Sequence, residues 1–277
     1  MNNKVLLVTN VKDEVNILEW IQFHLLVGFD HILIWDDGSA RSVRGVVHRT
    51  PSIPQRRVTV KNRNEVKLNY MRLALDFARE EQFTHMLYLD GDEYLCLGWD
   101  EDQQPFRIHN WIQSWPQDTI AVYLQWMMFG SNYLEKEEST SCIYPYRRCR
   151  RLLDYHIKAI VHVPSTVEPR NPHVYKMKDQ TKQNTLDGCL QPVFHFGAHQ
   201  PVRTWVENFK GAFIAHYRYQ DWTRFRARRS RVRDDTKSLW QFPFPLDVDP
   251  APPQFHRLSN DIEYLRVVEY FEDLKKK

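Results

Sequence analysis

A chain of 277 residues that is 42% hydrophobic and 13% aromatic can bury a sizeable core, which excludes a disordered sequence. A net charge of +3 is too small to argue by itself for a nucleic-acid partner, and the four cysteines (Cys96, Cys142, Cys149, Cys189) show no C-x-x-C pair or zinc-ligand spacing. The start, MNNKVLLVTNVKDE, is no signal peptide and no apolar run approaches 18 residues, so a soluble, cytoplasmic protein with at most peripheral membrane contact is expected.

Residues 4–11 (KVLLVTNV) read as a continuously apolar, buried strand. Lys12, Asp13 and Glu14 follow, and then Leu18, Ile21 and Leu25 recur at helical spacing, with Asp13 as expected N-cap and Gly28 as stop. Residues 31–35 (HILIW) are a second buried strand running into Asp36, Asp37, Gly38 and Ser39. Strand, helix and strand in this order make a βα unit of a parallel sheet, so both strands deliver carboxylates to one edge. A third strand is expected at 58–60, and an amphipathic helix at 65–81 with Val66, Tyr70, Leu73 and Phe77 on one face.

That helix leads into MLYLDGDEYL at 86–95, an apolar run that ends in Asp90, Asp92 and Glu93. Ligands of open α/β sheets bind at the carboxyl ends of strands. Gly91 lets the backbone turn or a ligand approach closely. Two hard oxygen ligands this close suit Mg²⁺ or Mn²⁺, although an isolated D-x-D is more often an acidic turn capping a strand. Neither G-x-G-x-x-G nor a Walker lysine is present.

Beyond Gly98 the expected elements are a strand at 120–126, a turn at 127–132 into the charged loop 135–138, and a strand at 157–163 carrying Lys158 and His162. Residues 164–192 are loop-rich, 193–196 a short strand, and a helical region begins at Val202. Its continuation, 216–233, holds Arg218, Arg224, Arg226, Arg228, Arg229, Arg231 and Arg233. A proline-rich connector at 243–253 precedes a last helix capped by Ser259, with Ile262, Leu265, Val268 and Phe271 inward.

Several of these segments together resemble one known group. V-K-D-E after the first strand, L-E-W-I-x-F-H on the first helix, G-F-D-H-I-L-I-W-D-D-G-S and Y-L-D-G-D-E-Y resemble GT-A glycosyltransferases, most nearly glycosyltransferase family 92 and its family-2-like neighbours. W-x-x-F-G-S (Trp126, Phe129, Gly130, Ser131), K-x-I-V from Lys158 and I-x-H-Y ending at His216 and Tyr217 continue the likeness in order, over about residues 4–235. Asp13 stands where asparagine is common, and Gln220 and Asp221 replace a small-residue or lysine–serine pair.

The resemblance implies an α/β, GT-A (Rossmann-like) mixed, mainly parallel sheet flanked by helices. Residues 1–98 would be its nucleotide-binding half, 99–242 its acceptor-binding half, and 243–277 a connector and helix packed on it. It implies metal-dependent, inverting transfer of a sugar from a nucleotide diphosphate sugar, UDP-linked, to a glycan hydroxyl. Thr9, Val11, Lys12, Glu14, Asp36, Asp37, Asn69, Gly91 and Lys158 would meet the nucleotide sugar. Asp90 would contact ribose or metal, Asp92 would ligate Mn²⁺ (or Mg²⁺), and His216 would add a metal or diphosphate contact. Trp126, Phe129, Gly130 and Ser131 would meet donor or acceptor sugar. The general base stays open among Glu93, Glu137, Glu138 and Asp154. Alternatives are a nucleotidyltransferase, which also needs paired carboxylates and metal, and a nucleic-acid-binding protein using 218–233 with Trp222 and Phe225; no nucleic acid is expected.

Overall fold

The computed structural model describes residues 3–201, 204–229, 248 and 251–276. Val202, Arg231, Arg233 and most of the proline-rich connector lie outside the described residues.

The first part alternates β1 (Val5–Val11), α1 (Ile17–Val27), β2 (His31–Asp36), α2 (Val43–His48), β3 (Val58–Asn62), α3 (Lys67–Glu80) and β4 (His85–Tyr88). These strands are parallel in the order β3-β2-β1-β4, with Val11 level with Asp36 and Val8 level with Tyr88. All seven residues of β1 are buried because both faces are covered. Val5 and Leu7 point into a core with Trp20 and Ile21 of α1, while Leu6 and Val8 point into another with Tyr70 and Met71 of α3.

The remainder runs β5 (Glu93–Cys96), α4 (Ile108–Gln113), β6 (Ala121–Met128), β7 (Arg148–Cys149), β8 (Ile157–His162), β9 (Thr166–Pro169), β10 (Tyr175–Met177) and β11 (Thr185–Asp187). It closes with β12 (Phe213–His216), α5 (Trp222–Arg229), α6 (Pro253–His256), β13 (Ile262–Glu263) and α7 (Arg266–Lys275). β8 is antiparallel to both β4 and β6, and β12 lies parallel to β6 and antiparallel to β5. β11 pairs with the start of β6, which completes a nine-stranded, mainly parallel sheet. This is the mixed α/β, Rossmann-like architecture expected. Among the described residues no helix is long and apolar enough to cross a membrane.

Several local expectations fail for physical reasons. Asp13 does not cap α1; it sits at φ 54° and its carboxylate accepts from Ala40 N–H at 2.7 Å, while the helix starts after Asn16. The buried face of α3 is Tyr70, Met71, Ala74, Leu75 and Ala78, which leaves Leu73 and Phe77 at its edge. β6 extends to Met128, through the expected turn. The loop-rich stretch hides β9, β10 and β11, three or four residues each, too short for a periodic signal. Residues 193–196 form no strand; nearby, Pro192 makes a single bridge to Leu186. In place of the early helical region stand the single turn Val206–Asn208 and then β12, whose Ile214, Ala215 and His216 gain partners on both sides, so sheet pairing overrides local propensity. Ser259 sits at φ 57° in a turn, and α7 buries Val267, Tyr270, Phe271 and Leu274 instead of Leu265.

Candidate active site

The parallel register brings the carboxyl ends of β1, β2 and β4 to one edge, and the turn after β4 is pinned there. Glu93 Oε2 accepts from Asp90 N–H at 2.7 Å, and Asp90 C=O accepts from Glu93 N–H at 3.0 Å. Asn16 donates its side-chain amide to Gly91 C=O (2.8 Å), Trp20 Nε1 donates to Glu93 C=O (2.8 Å) and Tyr217 N–H to Asp92 C=O (2.9 Å). A Cβ on Gly91 would stand 2.9 Å from Glu14 Cγ and 3.2 Å from Val11 Cγ1, so only glycine lets this turn lie against the end of β1.

Three buried or half-buried carboxylates in the turn face three fixed cations. Asp90 is bonded by Lys67 and, at 3.2 Å, by Lys158, whose Nζ also lies 3.2 Å from Glu93 Oε2. Asp92 Oδ2 accepts from Arg228 Nη2 at 2.7 Å and lies 3.4 Å from His216 Nε2. Burial alone would raise every one of these acids. For Asp90 the charges of Lys158 and Lys67 overcome burial and hold the carboxyl below its usual range; for Asp92, Arg228 and His216 do the same. At Glu93 burial outweighs Lys158, and its pKa rises. Lys158, although buried, is pushed up by Asp90 and Glu93.

The other expected residues separate into those at this edge and those elsewhere. Val11 and Glu14 are there, and Glu14 helps hold Arg228 charged; Lys12 is exposed on the same loop. Asp36 braces its own loop, accepting from Ser39 N–H (2.9 Å) and Val43 N–H (3.0 Å), while Asp37 accepts from Tyr70 Oη at 2.9 Å. Thr9 is fully buried inside the sheet, two residues short of the strand end, and is no ligand contact. Asn69 is bonded to Glu65, just before α3, and to Arg72 within it; Lys67, not singled out from sequence, is what reaches Asp90. Its signal was its place in the first turn of the helix that feeds the acidic strand.

Trp126 is at the site, edge-on to His216 with centroids 4.4 Å apart. Phe129, Gly130 and Ser131 are not sugar contacts. Phe129 stacks on Tyr217, a Cβ on Gly130 would lie 2.5 Å from Leu258 C=O, and Ser131 Oγ accepts from Asn260 Nδ2, so the 256–260 segment covers them. Among the candidate bases, Glu138 is exposed and paired with Lys136, and Glu137 folds back on Ser139 N–H. Asp154 is buried against His156. The described arginines of α5 turn inward: Arg224 to Asp221, Arg226 to Val248 C=O, Arg228 to Asp92.

The residues that could hold a divalent ion are Asp92 and His216, although Asp92 Oδ2 is also bonded by Arg228. The 3.4 Å between Asp92 Oδ2 and His216 Nε2 is close to the roughly 3 Å that separates neighbouring ligands of an octahedral ion with bonds near 2.1 Å. Two more buried atoms beside them, His216 Nδ1 and Glu93 Oε1, face each other at 4.0 Å with no hydrogen-bond partner. Among the described residues no three His, Cys, Asp or Glu side chains form a ready-made cage. Ions of the Mg²⁺ type commonly use one or two protein ligands and complete their shell with water and substrate phosphate. Asp90 is engaged by two lysines, as Asp92 is by Arg228 and His216.

No family model matches the sequence, and no curated protein matches it. Partial overlaps exist with solved structures. They include S. aureus TarS 1-349 (9% identity, 58% of this chain and 47% of that one, TM-score 0.36). Another is the mannosyltransferase PcManGT from Pyrobaculum calidifontis in complex with GDP-Man and Mn²⁺ (15% identity, 45% and 36%, TM-score 0.32). A third is a cytidylyltransferase from Leptospira borgpetersenii (12% identity, 59% and 61%, TM-score 0.28). The overlap spans less than half of the TarS chains.

Proposed function

We propose that the protein is a glycosyltransferase that moves a sugar from a nucleotide diphosphate sugar, UDP-linked, to a hydroxyl of a glycan acceptor with the help of Mn²⁺ or Mg²⁺. The observation that carries this reading is the buried Asp92–His216 pair at the carboxyl edge of the parallel strands, beside Lys158, Lys67 and Arg228. Asp92 and His216 would hold the ion, which when bound offsets negative charge on the departing diphosphate. Lys67, Lys158 and Arg228 are cations already aimed at carboxylate oxygens, and diphosphate oxygens are the same kind of acceptor. The loop through Lys12 and Glu14, together with Asp37, flanks the neighbouring strand ends, where a nucleoside would lie. In this reading residues 1–98 would take the nucleotide, 99–242 the acceptor, and the C-terminal helix would pack on the domain. Inversion is proposed by analogy with the resembled family.

The test is a panel of UDP-, GDP- and TDP-sugars incubated with Mn²⁺ and analysed for products. Release of a nucleoside diphosphate from the UDP-sugars supports the proposal. Release of pyrophosphate from a nucleoside triphosphate and a sugar phosphate, with no nucleoside diphosphate from any donor, would identify a nucleotidyltransferase instead.

A further inference from the structure

Residues 148–156 run along one edge of β6 while β12 runs along the other. Arg150 N–H donates to Met128 C=O at 2.9 Å and Asp154 N–H to Trp126 C=O at 2.7 Å, whereas Phe129 N–H donates across to His216 C=O at 2.9 Å. Arg150 and His216 therefore flank Met128, and at about 4.8 Å per strand spacing their backbones lie roughly 10 Å apart. A cavity of about 680 Å³ opens on residues 150–155, with Trp205 and Asp261 completing its wall. That volume is within the roughly 300–1,000 Å³ of small-molecule sites, and the transfer as outlined gives it no task.

Three large apolar side chains of this wall are left in water: Trp205 is 49% exposed, Tyr155 46% and Leu152 39%. Leu152 and Trp205 face each other across an antiparallel bridge, which sets their side chains next to one another. Tyr155 is held by a stack of rings. It lies 4.2 Å from His156, inclined by 29°, and His156 lies 4.9 Å from Trp126, inclined by 25°, so the imidazole is clamped between the two. The charges of the wall are already matched. Arg150 lies 3.4 Å from Asp154, Arg151 lies 3.9 Å from Glu207, and Asp261 accepts from Arg151 N–H at 3.1 Å. An anion would meet no cation here without an acid beside it. A neutral sugar ring has the matching surfaces: a face of C–H groups for the aromatic side chains, and a rim of hydroxyls for the paired guanidinium and carboxylate groups.

We propose that this cavity binds a neutral saccharide unit of the acceptor glycan, one that does not itself react, with Trp205 as the ring on which it stacks and Arg150 and Asp154 as the groups that bond its hydroxyls. The inference rests on the glycosyltransferase reading. Reacting atoms must approach to about 3–3.5 Å, so a ring seated beside Arg150 is a further unit of the chain whose reacting hydroxyl lies near His216. No bond forms or breaks in the cavity. It contributes equally to binding of the ground state and the transition state, so it acts on acceptor KM and leaves kcat alone. An oligosaccharide acceptor gains from it and a single sugar does not.

The experiment uses the full chain and neutral tetrasaccharides of glucose, galactose, mannose and N-acetylglucosamine, each beside its methyl glycoside. Binding is measured by saturation-transfer NMR for wild type, Trp205→Ala and Trp205→Phe, and transfer is measured with the best UDP-sugar from the donor panel. The expected result is that at least one tetrasaccharide binds wild type. Trp205→Ala should weaken that binding on the order of tenfold, and Trp205→Phe should recover most of it. Neither variant is expected to change the unfolding temperature of the ligand-free chain, because Trp205 is half exposed. In transfer, Trp205→Ala should raise KM for the tetrasaccharide roughly tenfold at unchanged kcat and leave KM for the methyl glycoside as it is. Binding of none of the four tetrasaccharides, or equal binding by wild type and Trp205→Ala, would overturn the inference and leave the glycosyltransferase reading standing. So would a wild-type dimer in sedimentation that Trp205→Ala splits, since a second copy would then be what covers the cavity. A wild type that releases no nucleoside diphosphate from any donor would overturn that reading, and the acceptor role of the cavity with it.

Discussion

The two polar regions of this site are built in opposite ways. The carboxylate turn takes Asp90, Gly91, Asp92 and Glu93 from one short stretch and pins them to the ends of parallel strands, so its acids are fixed by backbone register. The histidine region takes Asp154, Tyr155 and His156 from the entry to β8, Trp126 from β6, His173 from the loop before β10 and Trp205 from near Val206–Asn208. One region is charged and compensated by cations; the other is aromatic, with an acid–imidazole pair inside it. A local motif can fix charged groups by backbone register, whereas an aromatic cluster is assembled from long-range contacts and is shaped by packing.

Acid acts most strongly on the buried histidines, of which His173 lies in the aromatic region, His24 on α1 and His85 at the start of β4. Burial pushes His173 down to about 3, His24 to about 3 and His85 to about 4, from 6.5. These histidines stay neutral in the folded chain while the unfolded chain takes up protons. Their contribution to stability is complete above pH 6.5 and is lost as pH falls towards 3, by about 1.4 kcal/mol per pH unit for each. Asp90 and Asp92 have depressed folded values, so their contribution holds above the ordinary 3.8 and is lost only as pH falls through those lower values. Urea titrations should therefore show stability declining from just below pH 6.5, with His173→Gln and His24→Gln flattening the slope. A decline that begins only near pH 4 would contradict this.

Lys158→Ala is the next largest effect. It leaves Asp90 with only Lys67, and strips buried Glu93 of its partner, at a cost of about 3–5 kcal/mol in urea unfolding. Asp154→Asn keeps a polar group against His156 and is expected to cost less than half as much. Equal losses would erase the distinction between a charge-compensated turn and a packed aromatic clamp. Gly91→Ala is smaller still. Its methyl must displace Glu14 and Val11, at about 1–3 kcal/mol, and nucleotide affinity should fall with it because the same loop is moved.

The sheet was legible in the sequence where both faces of a strand are buried: β1, β2 and β4 are continuous apolar runs that end in acids. Asp92, expected from the resemblance as a Mn²⁺ ligand alongside Asp90, and His216, expected as a further metal or diphosphate contact, lie 3.4 Å apart, although 124 positions apart no periodicity could have joined them. Lys67 and Arg228 were obscured for different reasons. Lys67 is an unremarkable first-turn lysine, and Arg228 is one of a run of arginines whose solvated and inward-turned members look alike in one dimension. The W-x-x-F-G-S segment misled because aromatic and small residues serve a glycan platform and a tight interior equally well. Here Gly130 is required by the close approach of Leu258 and Ser259 backbone. The His156 clamp was invisible, since its partners come from separate strands and loops.

The central claim is that Asp92 and His216 together present a divalent ion to a nucleoside diphosphate. Its most direct test is thermal unfolding of wild type and Asp92→Asn with UDP, with Mn²⁺, and with both. The account predicts that UDP and Mn²⁺ together stabilise the wild type by more than the sum of their separate shifts, and that Asp92→Asn removes this excess while folding normally. Equal stabilisation of wild type and Asp92→Asn by the pair, or no shift in wild type beyond that of either alone, would contradict it.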